Sequence, residues 1–84
     1  MKPIMSTTWI KDEGTKIAID ALIDRINDET SPYPPIEMAS SAEVRICLND
    51  IVDKVINGLE RTPSTAYIKD RNVRLVLDSI IDSI

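Results

Sequence analysis

Histidine and phenylalanine are absent from this sequence, cysteine and tryptophan occur once each, and there are only two glycines. Each shortage closes off a class of chemistry. Without histidine there is no imidazole to act as acid and base near neutral pH, and no His-ligated metal site. Gly14 and Gly58 stand far apart, so no phosphate-cradling P-loop or dinucleotide-binding turn can form, and no CxxC or nucleophile elbow occurs. The lone Cys47 cannot close an internal disulfide, which removes the stapled secreted scaffolds. No apolar run approaches the roughly 18 residues of a membrane span. The opening MKPIMSTTW also lacks the apolar stretch of a signal peptide. The expectation is a soluble cytoplasmic protein with no membrane partner. Carboxylates are plentiful, but nothing in the pattern sets two of them in contrasting environments, as acid–base catalysis requires. No catalytic residue, no metal site and no cofactor is therefore expected, and the chain does not read as an enzyme.

What is present is an ordinary globular composition, 43% hydrophobic and 29% charged, in 84 residues. That length makes one domain, spanning residues 1–84. Its only aromatics are Trp9, Tyr33 and Tyr67, so the core is aliphatic. A chain of this size buries about 60–65% of its unfolded surface, which leaves stability marginal and makes dimerisation a natural supplement. The net charge of −4 weighs against nucleic acid and anionic membranes as generic partners.

The most strongly patterned stretch is Ser40–Arg61. Ser40 and Glu43, three apart, form the reciprocal capping-box spacing ahead of an apolar-periodic run. On a helical wheel Val44, Cys47, Leu48, Ile51, Val52, Val55, Ile56 and Leu59 fill about half the circumference, more than the stripe of an ordinary surface helix. Such a face needs two covering elements. Ile46 alone points into the polar sector, either as a solitary exposed side chain or as a contact to a second molecule. Cys47, on the apolar face, reads as a small core residue.

Upstream, residues 1–8 read as a loose lead-in, and Trp9 and Ile10 as folding back over a helix. A helix is predicted over about 15–28, with Ala18, Ile19, Leu22, Ile23 and Ile26 on one side. Asp20, Asp24 and Asp28 recur every four residues on the other side, either as a solvated face or as a negative docking surface. Carboxylates in a single file do not converge on a metal. Residues 29–39, with Pro32, Pro34 and Pro35, form a stiff Pro-rich connector that lays Ile36 and Met38 on the core. The PxxP spacing around Tyr33 is also what SH3-type domains read. Downstream, a short helical turn is predicted at about 63–69 after Thr62 and Pro63, and Asp70 caps a last helix over 70–83. Val73, Val76, Leu77, Ile80, Ile81 and Ile84 share its main face. Ile68 and Leu75 fall off that face and, with Ile46, suggest a second apolar surface. Arg61, Lys69, Arg71 and Arg74 form a basic cluster able to contact phosphates, or to pair with neighbouring acids.

The run VINGLE (55–60), a polar turn, Asp70 and then RLVLDSII (74–81) resembles the helix–LE–turn–D–helix core of the enterobacterial YmgB/AriR family of biofilm and acid-resistance regulators. Leu59, Glu60, Asp70, Arg74, Leu77 and Asp78 are the matching positions, and the match covers about 30 of the 84 residues. The resemblance implies a small all-helical dimer acting in regulation, with DNA or regulator binding.

The expected fold is all-α, a small bundle of three main helices (about 15–28, 41–61 and 70–83), completed by homodimerisation. The expected function is that of a non-enzymatic regulatory or adaptor protein working through protein–protein contacts. Ile46, Ile68, Leu75, Ile80 and Ile84 are the candidate dimer interface. An acidic inhibitor, of the immunity or phage-antagonist kind, docking Asp20, Asp24 and Asp28 on a basic site is the alternative. Weak DNA binding through Arg61, Lys69, Arg71 and Arg74 is the less favoured third.

Overall fold

A computed structural model describes residues 4–84. Three α-helices make up the fold: α1 (Glu13–Asn27), α2 (Ala42–Val55) and α3 (Arg71–Ser83), with one 3-10 turn at Ile36–Met38 between the first two. Among the described residues there is no strand. The all-α three-helix architecture is as expected, and its differences from expectation lie at the helix ends and in the connecting segments.

Helix α1 starts earlier than residue 15 because Asp12 caps it, accepting a hydrogen bond from the Thr15 amide at 2.9 Å and another from the Thr15 hydroxyl. Gly14 therefore lies inside the first turn, where it forgoes about 1 kcal/mol of helix propensity relative to alanine. Its reason is steric: a Cβ built there would sit 2.0 Å from the Met38 carbonyl oxygen. The missing side chain lets the 3-10 turn settle directly on α1.

Helix α2 is capped by Ser41, not by Ser40. The Ser41 hydroxyl accepts from the Val44 amide at 3.5 Å and donates to Glu43 at 2.8 Å. The reciprocal box expected of Ser40 and Glu43 is thus replaced by a simple cap, because Glu43 stands only two residues after Ser41. The helix then ends at Val55, well before Arg61. Gly58 adopts φ +67, the left-handed conformation that glycine tolerates best, and the Leu59 amide turns back to the Asp53 carbonyl at 2.9 Å. Leu59 consequently leaves the core face and is exposed. The expected helical turn over 63–69 is absent: those residues form an irregular loop with one turn, closed by the Ile68 amide on the Thr65 carbonyl. The Thr65 hydroxyl pins this loop to α3 by donating to Asp78 at 2.6 Å. Asp70 caps α3 as its position suggested, accepting from the Asn72 and Val73 amides.

The core is one cluster drawn from every element. Val44, Cys47, Leu48, Ile51 and Val52 of α2 are buried against Ala18, Ile19 and Leu22 of α1 and Val73, Val76, Leu77 and Ile80 of α3. Both covers of α2 thus come from the same chain. The expected lead-in is not loose over residues 4–8, while residues 1–3 of it lie outside the described residues. The Met5 amide donates to Ser79 on α3, the Thr7 hydroxyl donates to Asp20 on α1, and Ile10 is buried. Trp9 does not fold back over a helix: its ring is exposed, while its carbonyl accepts from Asn72. In the connector Pro34 is fully buried and Ile36 packs on the core, but Met38 points outward. Two arginines fasten this connector, Arg25 of α1 donating to the Ser31 carbonyl and Arg45 of α2 to the Ala39 carbonyl at 2.6 Å.

Two expected outcomes follow. In Gly14→Ala the clash with Met38 outweighs the propensity gain, so urea denaturation should show a net loss of about 1–3 kcal/mol. Asp12 offers a pH test. The Thr15 hydroxyl and amide, with Ser40 adding to them, hold its carboxyl below the ordinary value of 3.8. A depressed folded-state value stabilises at pH above the unfolded value and is lost as pH falls through the folded one. The difference in urea midpoint between wild type and Asp12→Asn should therefore be constant from neutral pH down towards 3.8 and shrink below it.

Candidate interaction face

With one side of α2 committed to the core, its outward stripe consists of Ala42, Ile46 and Asn49, at the i, i+4 and i+7 positions of a helical face. Ile46 is 64% exposed. The segments that enter and leave α2 each bring a tyrosine alongside it. Tyr33, 55% exposed, stands on the Pro-rich connector, where the short 3-10 turn offers no helical face to bury its ring. Tyr67, 80% exposed, stands on the loop before α3, next to the buried Ile68 that anchors that loop.

Two grooves result, with Ile46 as their common wall. The larger, about 540 Å³ and open to solvent, is lined by Tyr33, Pro34, Ile36, Glu37, Arg45 and Ile46, with Ala42 and Asn49 at its floor on α2. The smaller, about 370 Å³, runs between α2 and the last loop, lined by Glu43, Ile46, Asp50, Ser64, Tyr67 and Ile68. Both are mainly apolar, with Glu37 in the lining of the larger and Glu43 and Asp50 in that of the smaller. The Glu43 carboxyl is held below its ordinary value by its own backbone amide and the Ser41 hydroxyl, with Lys69 and Arg45 adding to the effect. It is therefore a fixed negative charge.

The residues singled out from sequence do not assemble into their expected sets. Of the five candidate interface residues, Ile68 is 3% exposed and Ile80 is fully buried, so both belong to the chain's own core. Leu75 is half-buried and Ile84 lies at the end of α3, leaving Ile46 as the one prominent member. In the acidic file, Asp20 accepts from Thr7 and lies 3.7 Å from Lys16. Asp28 closes the turn after α1 by accepting from the Thr30 amide and hydroxyl, which lower its carboxyl, as does Arg25. Asp24 and Asp28 are both exposed. In the basic set, Arg61 pairs with Asp53 at 3.2 Å and also donates to the Glu60 carbonyl. Arg74 turns to the Ile68 carbonyl, while Lys69 and Arg71 remain exposed at the start of α3. Leu59 and Glu60 of the YmgB/AriR-like run lie beyond the end of α2.

Tyr67 has no role in the sequence-based expectations, and Tyr33 enters them only through the PxxP spacing around it. The available signal was their rarity: two of three aromatics fall in connecting segments, where an aromatic ring has no regular face to share. Among the described residues there is no group of His, Cys, Asp or Glu placed to hold a metal, no buried side-chain nitrogen or oxygen without a partner, and no helix long and apolar enough to cross a membrane. No protein-family model, curated protein or solved structure matches the chain.

Cys47 is buried beneath this face, and burial together with the charges of Asp50 and Asp78 pushes its thiol up to about 12. The thiolate is the reactive form. Ellman's reagent should therefore leave Cys47 untouched in native protein at pH 8 and titrate one thiol per chain in denaturing urea; fast native labelling would mean that α2 opens readily.

Proposed function

We propose that the chain is a non-enzymatic interaction module, regulatory or adaptor in role, that binds another protein through the face bearing Tyr33, Ile46 and Tyr67. One observation carries this reading. Three large side chains, each more than half exposed, surround two adjoining apolar grooves on the outer side of a helix whose inner side is fully used. Aromatic and branched aliphatic anchors beside concave apolar surface are the composition of interface centres, whereas scattered exposed hydrophobics lack the concavity. The expected homodimer is one way to cover the same face, but the core does not require it, since α1 and α3 of one chain already enclose α2.

The acidic-inhibitor reading is supported less well. It rests on the net charge of −4, but two of the three carboxylates of its expected docking file are engaged within the chain.

Affinity capture from the source cell, with Ile46→Glu and Asp24→Asn run beside wild type, separates the two readings. Circular dichroism should first show all three proteins equally helical. Loss of specific partners with Ile46→Glu and retention with Asp24→Asn is the expected result. The reverse pattern would favour the acidic file, and identical partner sets for all three would discard both.

A further inference from the structure

The two grooves share a feature beyond their apolarity: the charged residues that line them are unevenly balanced. Glu37, Glu43 and Asp50 line them, with Arg45 the one base among those lining residues and its guanidinium bonded to the Ala39 carbonyl; Lys69, which also acts on Glu43, stands outside the lining. A second copy of this chain would bring the same acids face to face, and like charges juxtaposed across an interface oppose association. A partner that carries basic residues beside an apolar stripe matches both the apolar surface and the carboxylates of that lining.

The shape narrows the partner further. Among the described residues no strand offers an edge for β-augmentation, and each groove carries one tyrosine rather than the stacked aromatics on which Pro-rich ligands dock. What the surface presents is a ridge, Ile46, between two troughs. An amphipathic helix fits such relief by setting successive turns of its apolar stripe on either side of the ridge. The molecule measures 27 × 25 × 22 Å, so a helix of about 15–18 residues, at 1.5 Å per residue, would cross the whole face.

Resting on the reading above, we propose that the occupant of the Tyr33–Ile46–Tyr67 face is a basic amphipathic helix of a partner protein, its apolar stripe seated in the two grooves and its lysines or arginines facing Glu37, Glu43 and Asp50. Glu43 is suited to this role because its carboxyl stays ionised under mildly acidic conditions.

The test uses two designed 18-residue helical peptides with the same leucine stripe at i, i+3, i+4 and i+7, one flanked by lysine and arginine, the other by glutamate. Binding to the full chain is read by calorimetry at two salt concentrations, and the site by amide chemical-shift mapping. The basic peptide is expected to bind with shifts centred on α2 and the 64–68 loop, and the acidic one at least about tenfold more weakly. Ile46→Glu should weaken the basic peptide by more than about thirtyfold. Glu43→Gln combined with Asp50→Asn should reduce both its affinity and its salt dependence while leaving the fold intact. Equal binding of the two peptides, binding of neither, or shifts located elsewhere would overturn the proposal. Sedimentation showing a dimer that Ile46→Glu dissociates would also overturn it, in favour of a second copy. Each of those results leaves the wider reading standing if capture of partners from cells still depends on Ile46.

Discussion

The breadth of the apolar face of α2 is the constraint from which the remainder of the structure follows. A helix with Val44, Cys47, Leu48, Ile51 and Val52 all buried cannot be satisfied by one neighbour, because its apolar arc is wider than the strip a single crossing helix covers. The chain meets that demand internally, with α1 and α3. Three short helices of 15, 14 and 13 residues are each marginal alone, so their stability comes from this shared burial rather than from helix propensity.

Covering one helix from two sides leaves the two covers to be fixed in place, and the chain uses its irregular segments for this. Residues 4–10 cross the bundle, bonded to α1 through Thr7 and Asp20 and to α3 through Met5 and Ser79. The Pro-rich connector is held at both ends by guanidinium groups, and its 3-10 turn meets α1 where Gly14 leaves room. Thr65 and Asp78 do the same for the last loop. These contacts, most of them partly buried, join hydroxyls, carboxylates, guanidinium groups and backbone, so each contributes modestly, on the order of 1 kcal/mol. The importance of those on the connector and the last loop is geometric: they hold the segments that wall the two grooves.

The helices were legible in the sequence because their information is local and periodic. The apolar spacing in 18–26, 44–56 and 73–84 and the Asp70 cap can be read without knowing the fold. The helix ends were less legible. The spacing to Glu43 favours Ser40 as the cap, but the adjacent Ser41 is the residue whose hydroxyl meets the Val44 amide, while Ser40 lies near Asp12, a tertiary fact. At the other end, a helical wheel places Leu59 on the apolar face only if the helix continues, and Gly58 in its left-handed turn ends that continuation. The candidate surfaces were the least legible. Ile68 looked like an outlier because it was placed on a helical turn; on the irregular loop that actually forms, it points into the core. Asp20 looked solvated because Thr7, thirteen residues away, was assigned to a loose lead-in.

The same reasoning explains why the grooved face with Tyr33, Ile46 and Tyr67 forms on α2. Both covers of α2 turn their main apolar stripes inward, and their outer surfaces are largely polar, as along Asp20, Asp24 and Asp28, with Ile17 an isolated exception. Because α2 is flanked on each side by an irregular segment, its outward stripe is bordered by backbone that diverges from the helix instead of packing along it. Concavity arises there as a consequence of topology. Had Tyr33 and Tyr67 been polar, those depressions would be ordinary wet crevices. Placing two of the chain's three aromatics at their margins, with Ile46 between them, adds apolar area where neither folding nor the closed core has use for it. An exposed ring on a short loop contributes little to stability and carries an aggregation liability, so its placement beside a concave apolar surface is more economically explained by recognition than by folding.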